Sequence, residues 1–464
     1  MKIRKYILIV GLMASYDIYP FPLERGLSRH HLANVSGFVG PHGISDAVKK
    51  FEKVDLIFTG DVESLTEKIR YLAQKLAHTY QAGHVDQLHI KHKLKNIPGY
   101  HIEVSLKESD PSGRKILTID VKRIPFGISS DFVMSDHKGG KSWSQPTDFY
   151  YNNLFGLNDN LRFHNDFSFL HRTRTVQEYQ YTLPLGVEDT DLDIHYNVLR
   201  LRKDDKPLTE KYAIIANEFG FKVRHFLIRD SHHVLRGMLG ILSYYGQLKY
   251  KTNLERNIAH RIDNLWLGLH GKYIYETGEV TYDLDIQKGI KGFGAYKSIS
   301  TDTNEIHGCL TPLILRLGIE TQQNNFEDVQ FNQSVFLQIA NRTLLADQQY
   351  NFGGRFNFLV PYNALSGDNG FNVKLNMTYT FLRDQVVDAM NLEPGFLYGY
   401  TWNKAITGVQ TKSHTLWGFY GALNVTIRGP LYAMVSYGVP LRNKTGSYKY
   451  KNRFMIKAGF KFNF

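Results

Sequence analysis

The sequence contains no long hydrophobic run. No segment of its 464 residues approaches the roughly 20 consecutive apolar residues that a membrane-spanning helix requires. A helical membrane protein is therefore excluded. Hydrophobic residues nevertheless make up 42% of the chain, and Tyr and Phe occur 29 times each. This combination of a globular composition with abundant aromatic residues is typical of proteins that cross a membrane with amphipathic strands.

Cysteine is nearly absent, and catalytic motifs are missing. The single cysteine, Cys309, excludes an internal disulfide framework. The motifs H-E-x-x-H, G-x-S-x-G and G-x-G-x-x-G do not occur, and GGKS at 139–142 fails as a phosphate-binding loop because Ser135 stands where its first glycine is needed. The 19 histidines include adjacent pairs, which in loops and strands are usually solvated. We therefore predict neither an enzyme nor a cofactor or metal site.

The positive charge is dispersed. The formal net charge is +12, but the basic residues are spread along the chain and never form a run. A nucleic-acid-binding domain would concentrate them on one face or along one element. A solvated lumen, or a surface that faces an anionic envelope, explains the charge better. We expect no nucleic-acid partner.

The N-terminus has the layout of a secretory signal peptide. Three basic residues within the first five precede a short apolar core over residues 6–14, and small residues follow. An ordinary N-terminal strand is the alternative. We assign residues 1–20 to the signal peptide and residues 21–53 to a linker or N-terminal segment.

Residues 54–125 predict a small α/β domain. A short strand at 54–59 leads to Ser64, which forms a capping box with Glu67. A first helix follows, then a shorter one around residues 85–94, and then the turn at Pro98 and Gly99. Two alternating strands complete a β-α-α-β-β order. This order is compatible with many binding modules and contains no catalytic set.

From residue 141 to residue 464 the chain reads as strand after strand. FNVKLNMTYTF at 371–381, for example, alternates an apolar face with a face of Asn, Lys and Thr. Such a length of strand without helix exceeds a single sandwich, and only closure removes the sheet edges. Strand-plus-connection units of about 20 residues, with strands of about 10, give about sixteen antiparallel strands. The segment therefore predicts a transmembrane β-barrel.

The last eleven residues, FMIKAGFKFNF, follow the same alternation. Phe464, Phe462 and Phe460 share one face with further apolar residues, and Lys457 and Lys461 lie on the other. An edge strand of a soluble sandwich would also show this pattern. In a barrel, the aromatic face meets lipid and the basic face meets the lumen.

Several segments together resemble one family, the outer-membrane transporters of two-partner secretion, also called haemolysin secretion/activation proteins. They span roughly residues 54–464. Residues 94–123 resemble the end of the family's periplasmic POTRA module, including the turn at Pro98 and Gly99. NNLFGLNDNLRF at 152–163 and YQYTLPLG at 179–186 resemble its entry into the barrel. The family usually has two POTRA modules, whereas this chain has room for one.

The resemblance also implies candidate site residues. LLADQQYNFGG at 344–354 and LSGDNGF at 365–371 are similar to the segments that flank the family's inward-folded loop six. FLRD at 381–384 is similar to its F-x-x-D motif, in which the aspartate meets a loop-six arginine. The V-R-G-F/Y motif of that loop is not intact here. The implied residues are Phe381 and Asp384 of the motif, Arg355 as the basic candidate, and Gly353, Gly354, Gly367, Asp368 and Gly370 of the loop-six segment.

The implied function is secretion of a partner exoprotein, of haemolysin or adhesin type, through the barrel. The POTRA-like domain would lie in the periplasm and the barrel in the lipid of the bacterial outer membrane. Phe464, with Phe462 and Phe460, would be the signal read by the barrel-assembly machinery. Two alternatives remain open: an assembly factor that inserts other outer-membrane proteins, and a general diffusion porin.

Overall fold

The computed structural model describes two compact units, the first within residues 53–123 and the second from residue 124 onward. The described residues are 53–62, 65–82, 90–91, 94, 97, 99–108, 114–137, 140–169, 173–186, 190–203, 212–230, 232–250, 258–292, 295–297, 309–326, 328–345, 348–352, 365–383, 387–403, 413–427, 430–442, 444–445, 448–449 and 452–463.

The first unit is a three-stranded sheet with a helix. Its elements are β1 (Lys53–Gly60), α1 (Glu67–Ala82), β2 (Tyr100–Glu108) and β3 (Arg114–Arg123). The strand order is β1-β3-β2, with β1 parallel and β2 antiparallel to β3. Thr66 caps α1, because its Oγ1 accepts the amide of Ile69 at 3.4 Å; the predicted cap, Ser64, lies outside the described residues.

Alternating and helical apolar positions fill this unit's core, as their periods predict. Ile69 and Leu76 of α1 face Leu117 and Ile119 of β3, and all four are fully buried. Of the predicted second helix, residues 90, 91 and 94 are described and helical. No helix among the described residues of the chain is both long and apolar enough to span a bilayer.

The second unit is a closed barrel of sixteen antiparallel strands, which confirms the predicted fold class. Its elements are β4 (Phe126–His137), β5 (Gly140–Asn152), β6 (Asn160–Phe169), β7 (Thr173–Pro184), β8 (Thr190–Lys203), β9 (Tyr212–Arg229), β10 (His233–Tyr250), β11 (Ile258–Tyr275), β12 (Gly278–Ile290), β13 (Tyr296–Lys297), β14 (Leu313–Phe326), β15 (Val329–Ala340), β16 (Tyr350–Phe352), β17 (Leu365–Gly367), β18 (Asn369–Leu382), β19 (Val387–Trp402), β20 (Ser413–Ile427), β21 (Leu431–Arg442), β22 (Lys444–Thr445), β23 (Tyr448–Lys449) and β24 (Arg453–Asn463).

The short strand β13 pairs with β11 and adds to the barrel rim, while β16–β17 and β22–β23 form separate two-stranded sheets. The barrel begins at Phe126, earlier than the residue 141 assigned from sequence. The apolar face of β4 is interrupted by Ser130, which is buried and contacts the carbonyl of Pro146 on β5. This break in the alternation conceals the strand.

Exposed apolar side chains alternate with buried polar ones along the strands. On β9, Phe219, Phe221 and Val223 are exposed, whereas Glu218 and Lys222, on the alternate positions, are buried. The apolar outside and the polar inside are the two faces expected of a strand between lipid and a lumen. The connections at one end of the barrel are short, such as residues 276–277 between β11 and β12. The other end carries longer connections, such as residues 341–368 between β15 and β18. Short turns mark the periplasmic end of such barrels, and long loops mark the extracellular end.

Candidate functional site: the lumen and the loop-six base

The described residues of the long connection between β15 and β18 fold into the lumen. We call its described residues 344–345, 348–352 and 365–369 the loop-six base. Within it, β16 and β17 pair as an antiparallel hairpin. Tyr350 and Phe352 are buried in one cluster with lumenal residues of four barrel strands. These wall residues are Val133 of β4, Leu397 of β19, Leu416, Tyr420 and Ala422 of β20, and Met455 of β24.

Two glycines of the barrel wall make room for these aromatic rings. A Cβ atom on Gly370 would lie 2.1 Å from Cδ1 of Tyr350, and one on Gly399 would lie 2.5 Å from Cδ1 of Phe352. Neither distance is possible for a real side chain, so both positions need glycine. The Tyr350 hydroxyl also accepts a hydrogen bond of 2.6 Å from Nδ2 of Asn372 on β18. The hairpin is therefore seated in shaped slots of the wall.

Asp368 joins the two arms of the loop-six base. The first arm, residues 344–345 and 348–352, follows β15, and the second arm, residues 365–369, leads into β18. Asp368 is fully buried, and its Oδ1 accepts hydrogen bonds from the amide of Leu344 at 2.8 Å and from Nε2 of Gln349 at 3.5 Å. Its own amide donates to Oδ1 of Asn403 at 3.0 Å. Hydrogen bonds to a buried carboxylate are stronger than those between neutral groups, so Asp368 stabilises this segment strongly. Asp368 thus sets the point where the chain leaves and re-enters the wall.

Gln338 ties both arms to strand β15. Its Nε2 donates to the carbonyl oxygens of Gln348 at 3.0 Å and of Asp368 at 3.2 Å. Its Oε1 accepts from Nε of Arg316 on β14 at 2.7 Å. Gln348 in turn donates from Nε2 to Oδ1 of Asn264 on β11 at 3.2 Å. The loop-six base is therefore held by strands on both sides of its own exit point.

The remaining lumen wall carries charges of both signs that are held in pairs. The Lys222 ammonium lies 4.0 Å from the ring centre of Trp266, whose Nε1 donates to Asp285 at 2.8 Å. Glu218 accepts from Asn197 at 2.9 Å and lies 3.3 Å from His195. Interleaved charges of opposite sign keep the local field small, because neighbouring contributions cancel. Such a wall does not strongly favour ligands of one sign.

The barrel closes where β24 pairs with β4. The register runs from Met455 opposite Ser135 to Asn463 opposite Gly127. Inside the lumen, Nζ of Lys457 on β24 lies 2.8 Å from Asp131 on β4. Asp131 also accepts a hydrogen bond from the hydroxyl of Tyr432 on β21. One carboxylate therefore links the three strands around the seam.

The structure brings together only part of the predicted site. Gly367, Asp368 and Gly370 are buried side by side at the loop-six base. Phe381 lies on the outer face, 46% exposed, and its ring contacts Tyr379. It follows Gly370 by eleven positions, roughly 36 Å along an extended strand at about 3.3 Å per residue. Phe381 is therefore far from the loop-six base.

The other predicted positions have different outcomes. Gly99 adopts the left-handed conformation, with φ of 81°, that a turn glycine supplies. Phe462 is exposed on the outer face of β24, where its ring contacts that of Phe460. The remaining predicted residues lie outside the described part of the chain: Pro98, Gly353, Gly354, Arg355, Asp384 and Phe464.

Sequence reasoning missed the residues that hold the loop-six base in place, chiefly Gln338, Asn264, Tyr350 and Asn372. The spacing of Tyr350 and Phe352, two aromatic residues separated by one position, was the only local signal for a strand with one buried face. The glutamine and asparagine contacts join strands distant in sequence, so no local pattern reveals them.

Comparison with known proteins agrees with this architecture. The family model of haemolysin secretion/activation protein ShlB/FhaC/HecB matches residues 132–421, which is more than half of the chain. No curated protein sequence matches the chain significantly.

Solved structures show the same fold. The chain is similar to CdiB from Escherichia coli, with a TM-score of 0.72 and 15% identity over 92% of this chain and 80% of that one. It is also similar to CdiB from Acinetobacter baumannii, with a TM-score of 0.65 and 14% identity over 89% and 74% of the two chains. BamA from Haemophilus ducreyi lacking POTRA domains 1-3 gives a TM-score of 0.51 at 14% identity, over 88% and 84%. From its family match, this chain belongs to the haemolysin secretion/activation family of two-partner secretion transporters in the bacterial outer membrane.

Proposed function

We propose that the barrel exports one partner exoprotein, of haemolysin or adhesin type, from the periplasm to the cell surface. The observation that carries this proposal is the loop-six base seated inside the lumen of a barrel from a secretion family. The family match favours this function over that of a diffusion porin. The polar lumen suits an extended chain, whose backbone and side chains stay solvated during passage.

Capture of the exoprotein is assigned to the small domain of residues 53–123, in the periplasm. Strand β2 pairs only with β3 among the described residues, so its other edge offers backbone donors and acceptors. An extended segment can bind such an edge as an added strand. Binding as an added strand depends on the backbone of the bound segment more than on its sequence, so it suits an unfolded exoprotein.

Passage then requires the loop-six base to leave its slots, because Tyr350 and Phe352 fill part of the lumen. The exoprotein itself supplies the driving force for export, because its folding outside the cell prevents its return. No nucleotide is needed for this step.

The capture role is tested by deleting residues 54–123. We expect the exoprotein to disappear from the culture medium while the barrel remains in the outer-membrane fraction. Unchanged secretion would refute the capture role. Loss of the barrel from the membrane would instead assign these residues to barrel assembly.

Asp384 is proposed to pair with a basic side chain inside the lumen. A buried arginine–carboxylate pair fixes position by two parallel hydrogen bonds. Asp384→Ala should therefore change pore conductance or secretion. Glu276→Ala, at an exposed turn of the same end, is the matched control and should change neither. If both variants behave as the wild type, Asp384 is only a solvated turn residue.

The C-terminal aromatic residues are proposed to be the assembly signal. Deleting Phe464 should lower the amount of barrel in the outer membrane. Lys461→Ala, on the lumenal face of the same strand, should leave insertion unchanged and affect only the pore. Equal insertion of both variants would refute the signal role.

An assembly factor remains the competing function, since the likeness to BamA shows a shared fold. Depletion distinguishes the two, because loss of an assembly factor lowers the amounts of other barrels as well. Loss of a dedicated transporter lowers one secreted protein. A large exoprotein encoded by the neighbouring reading frame would favour the transporter.

A further inference from the structure

The turn between β5 and β6, residues 153–159, holds a defined shape through its own hydrogen bonds. The amide of Asn153 donates to the carbonyl oxygen of Asp159 at 2.6 Å, and the amide of Phe155 donates to Asp159 Oδ1 at 3.1 Å. The amide of Asn158 donates to Oδ1 of Asn153 at 2.9 Å. Asn153, Gly156 and Asn158 all have positive φ angles, of 56°, 77° and 58°. Such a backbone persists only where the surroundings enforce it.

This defined turn presents apolar side chains outward. Leu154, Phe155 and Leu157 are 42%, 67% and 55% exposed. Asp159, in contrast, is fully buried beneath them. The polar atoms of the turn thus build its frame, and the large apolar groups form its tip.

The tip continues an aromatic band on the outer face of the barrel. The ring centre of Phe155 lies 6.1 Å from that of Tyr181 on β7, and the two rings meet edge to face. On the same outer face, Phe163 and Tyr179 lie 4.9 Å apart, and Tyr179 and Tyr196 lie 6.3 Å apart. Aromatic bands of this kind mark the membrane–water interface of barrels. The turn therefore extends the lipid-facing surface and does not point into the lumen.

Four other turns at the periplasmic end are chemically different. Among the described residues, Asp230 follows β9, Glu276 follows β11, Asp328 precedes β15 and Arg383 follows β18. Charged groups of this kind stay in water, because removing them from it is costly. In the β5–β6 turn, the one charged residue is the buried Asp159.

We propose that the β5–β6 turn is a membrane anchor whose three apolar side chains bind the periplasmic phospholipid leaflet. The occupant of this surface is the boundary between acyl chains and headgroups. The turn would fix the height of the barrel beside the first strands, where β4 enters the membrane. The lipid contact stands independently of which exoprotein is exported.

The test uses the full-length protein in phosphatidylcholine vesicles, with and without brominated acyl chains. Phe155→Trp places a fluorophore at the tip, and His232→Trp places one in the charged β9–β10 turn as the matched control. The signal of the native tryptophans is subtracted with the wild-type protein, and heat-modified gel mobility verifies folding of both variants. We expect brominated lipid to quench the Phe155→Trp signal strongly and the His232→Trp signal weakly, with the reverse order for acrylamide in the water phase.

Equal acrylamide quenching of the two variants, with no effect of brominated lipid, would overturn the anchor. Protection of the Phe155→Trp signal only after the partner exoprotein is added would overturn it as well, because the occupant would then be a protein. Neither result depends on secretion activity, so failure of the anchor is distinguishable from failure of the proposed function.

Discussion

Asp368 is the residue on which the loop-six base depends most. Its carboxylate, on the arm that precedes β18, is fully buried and accepts two hydrogen bonds from the arm that follows β15. Asp368→Ala should release this fastening, since hydrogen bonds to a charged group contribute about 1.5–3 kcal/mol. We expect more frequent and larger openings of single channels in planar bilayers. Asp368→Asn keeps one acceptor and should have a smaller effect.

Asp328→Ala is the control at the residue scale. Asp328 lies in a turn, about half exposed, with Arg383 at 3.6 Å. Exposed ion pairs contribute little, so this variant should conduct as the wild type does. If Asp368→Ala matches it, the carboxylate does not hold the loop.

At the scale of elements, the β16–β17 hairpin depends on glycine in the wall. Gly370→Ala places a methyl group inside the Tyr350 ring and should expel the hairpin, because overpacking costs about 1–3 kcal/mol. The expected readout is a raised basal conductance. Gly421→Ala on β20 is the matched control, since a Cβ there meets nothing within 4 Å. Equal conductance of the two variants would show that Tyr350 occupies no rigid slot.

The elements were largely predictable from sequence, and their contacts were not. Alternation such as that of residues 371–381 predicts strands because each face meets a different solvent. β4 was not predicted from sequence, because a buried serine, Ser130, stands where the alternation requires an apolar residue on the outer face of this strand. The contact of Gln348 with Asn264 joins positions 84 residues apart, and only barrel closure brings them together. Local patterns contain no such information.

At the scale of the whole molecule, closure of the barrel depends on the β4–β24 seam. Asp131→Asn should weaken the seam, because Lys457 keeps its partly buried charge and loses the opposite charge of the carboxylate. We expect a lower midpoint temperature for the loss of heat-modifiable gel mobility. Adding Lys457→Met to Asp131→Asn should restore part of the loss. A midpoint unchanged in the single variant would show that backbone pairing alone holds the seam.

We expect the exoprotein to pass through the lumen only after the loop-six base has withdrawn. The most direct measurement is secretion with this base cross-linked to the wall. Asn264→Cys and Gln348→Cys, in a Cys309→Ser background, place thiols at two side chains now in contact at 3.2 Å. A short, reducible thiol cross-linker then joins them in living cells.

Each single-cysteine variant, treated identically, is the control for the chemistry. With the cross-link complete, we predict that the partner exoprotein no longer reaches the medium and that secretion returns after reduction. Secretion that continues at the rate of the single-cysteine controls, with the cross-link intact, would contradict passage through a lumen opened by loop six.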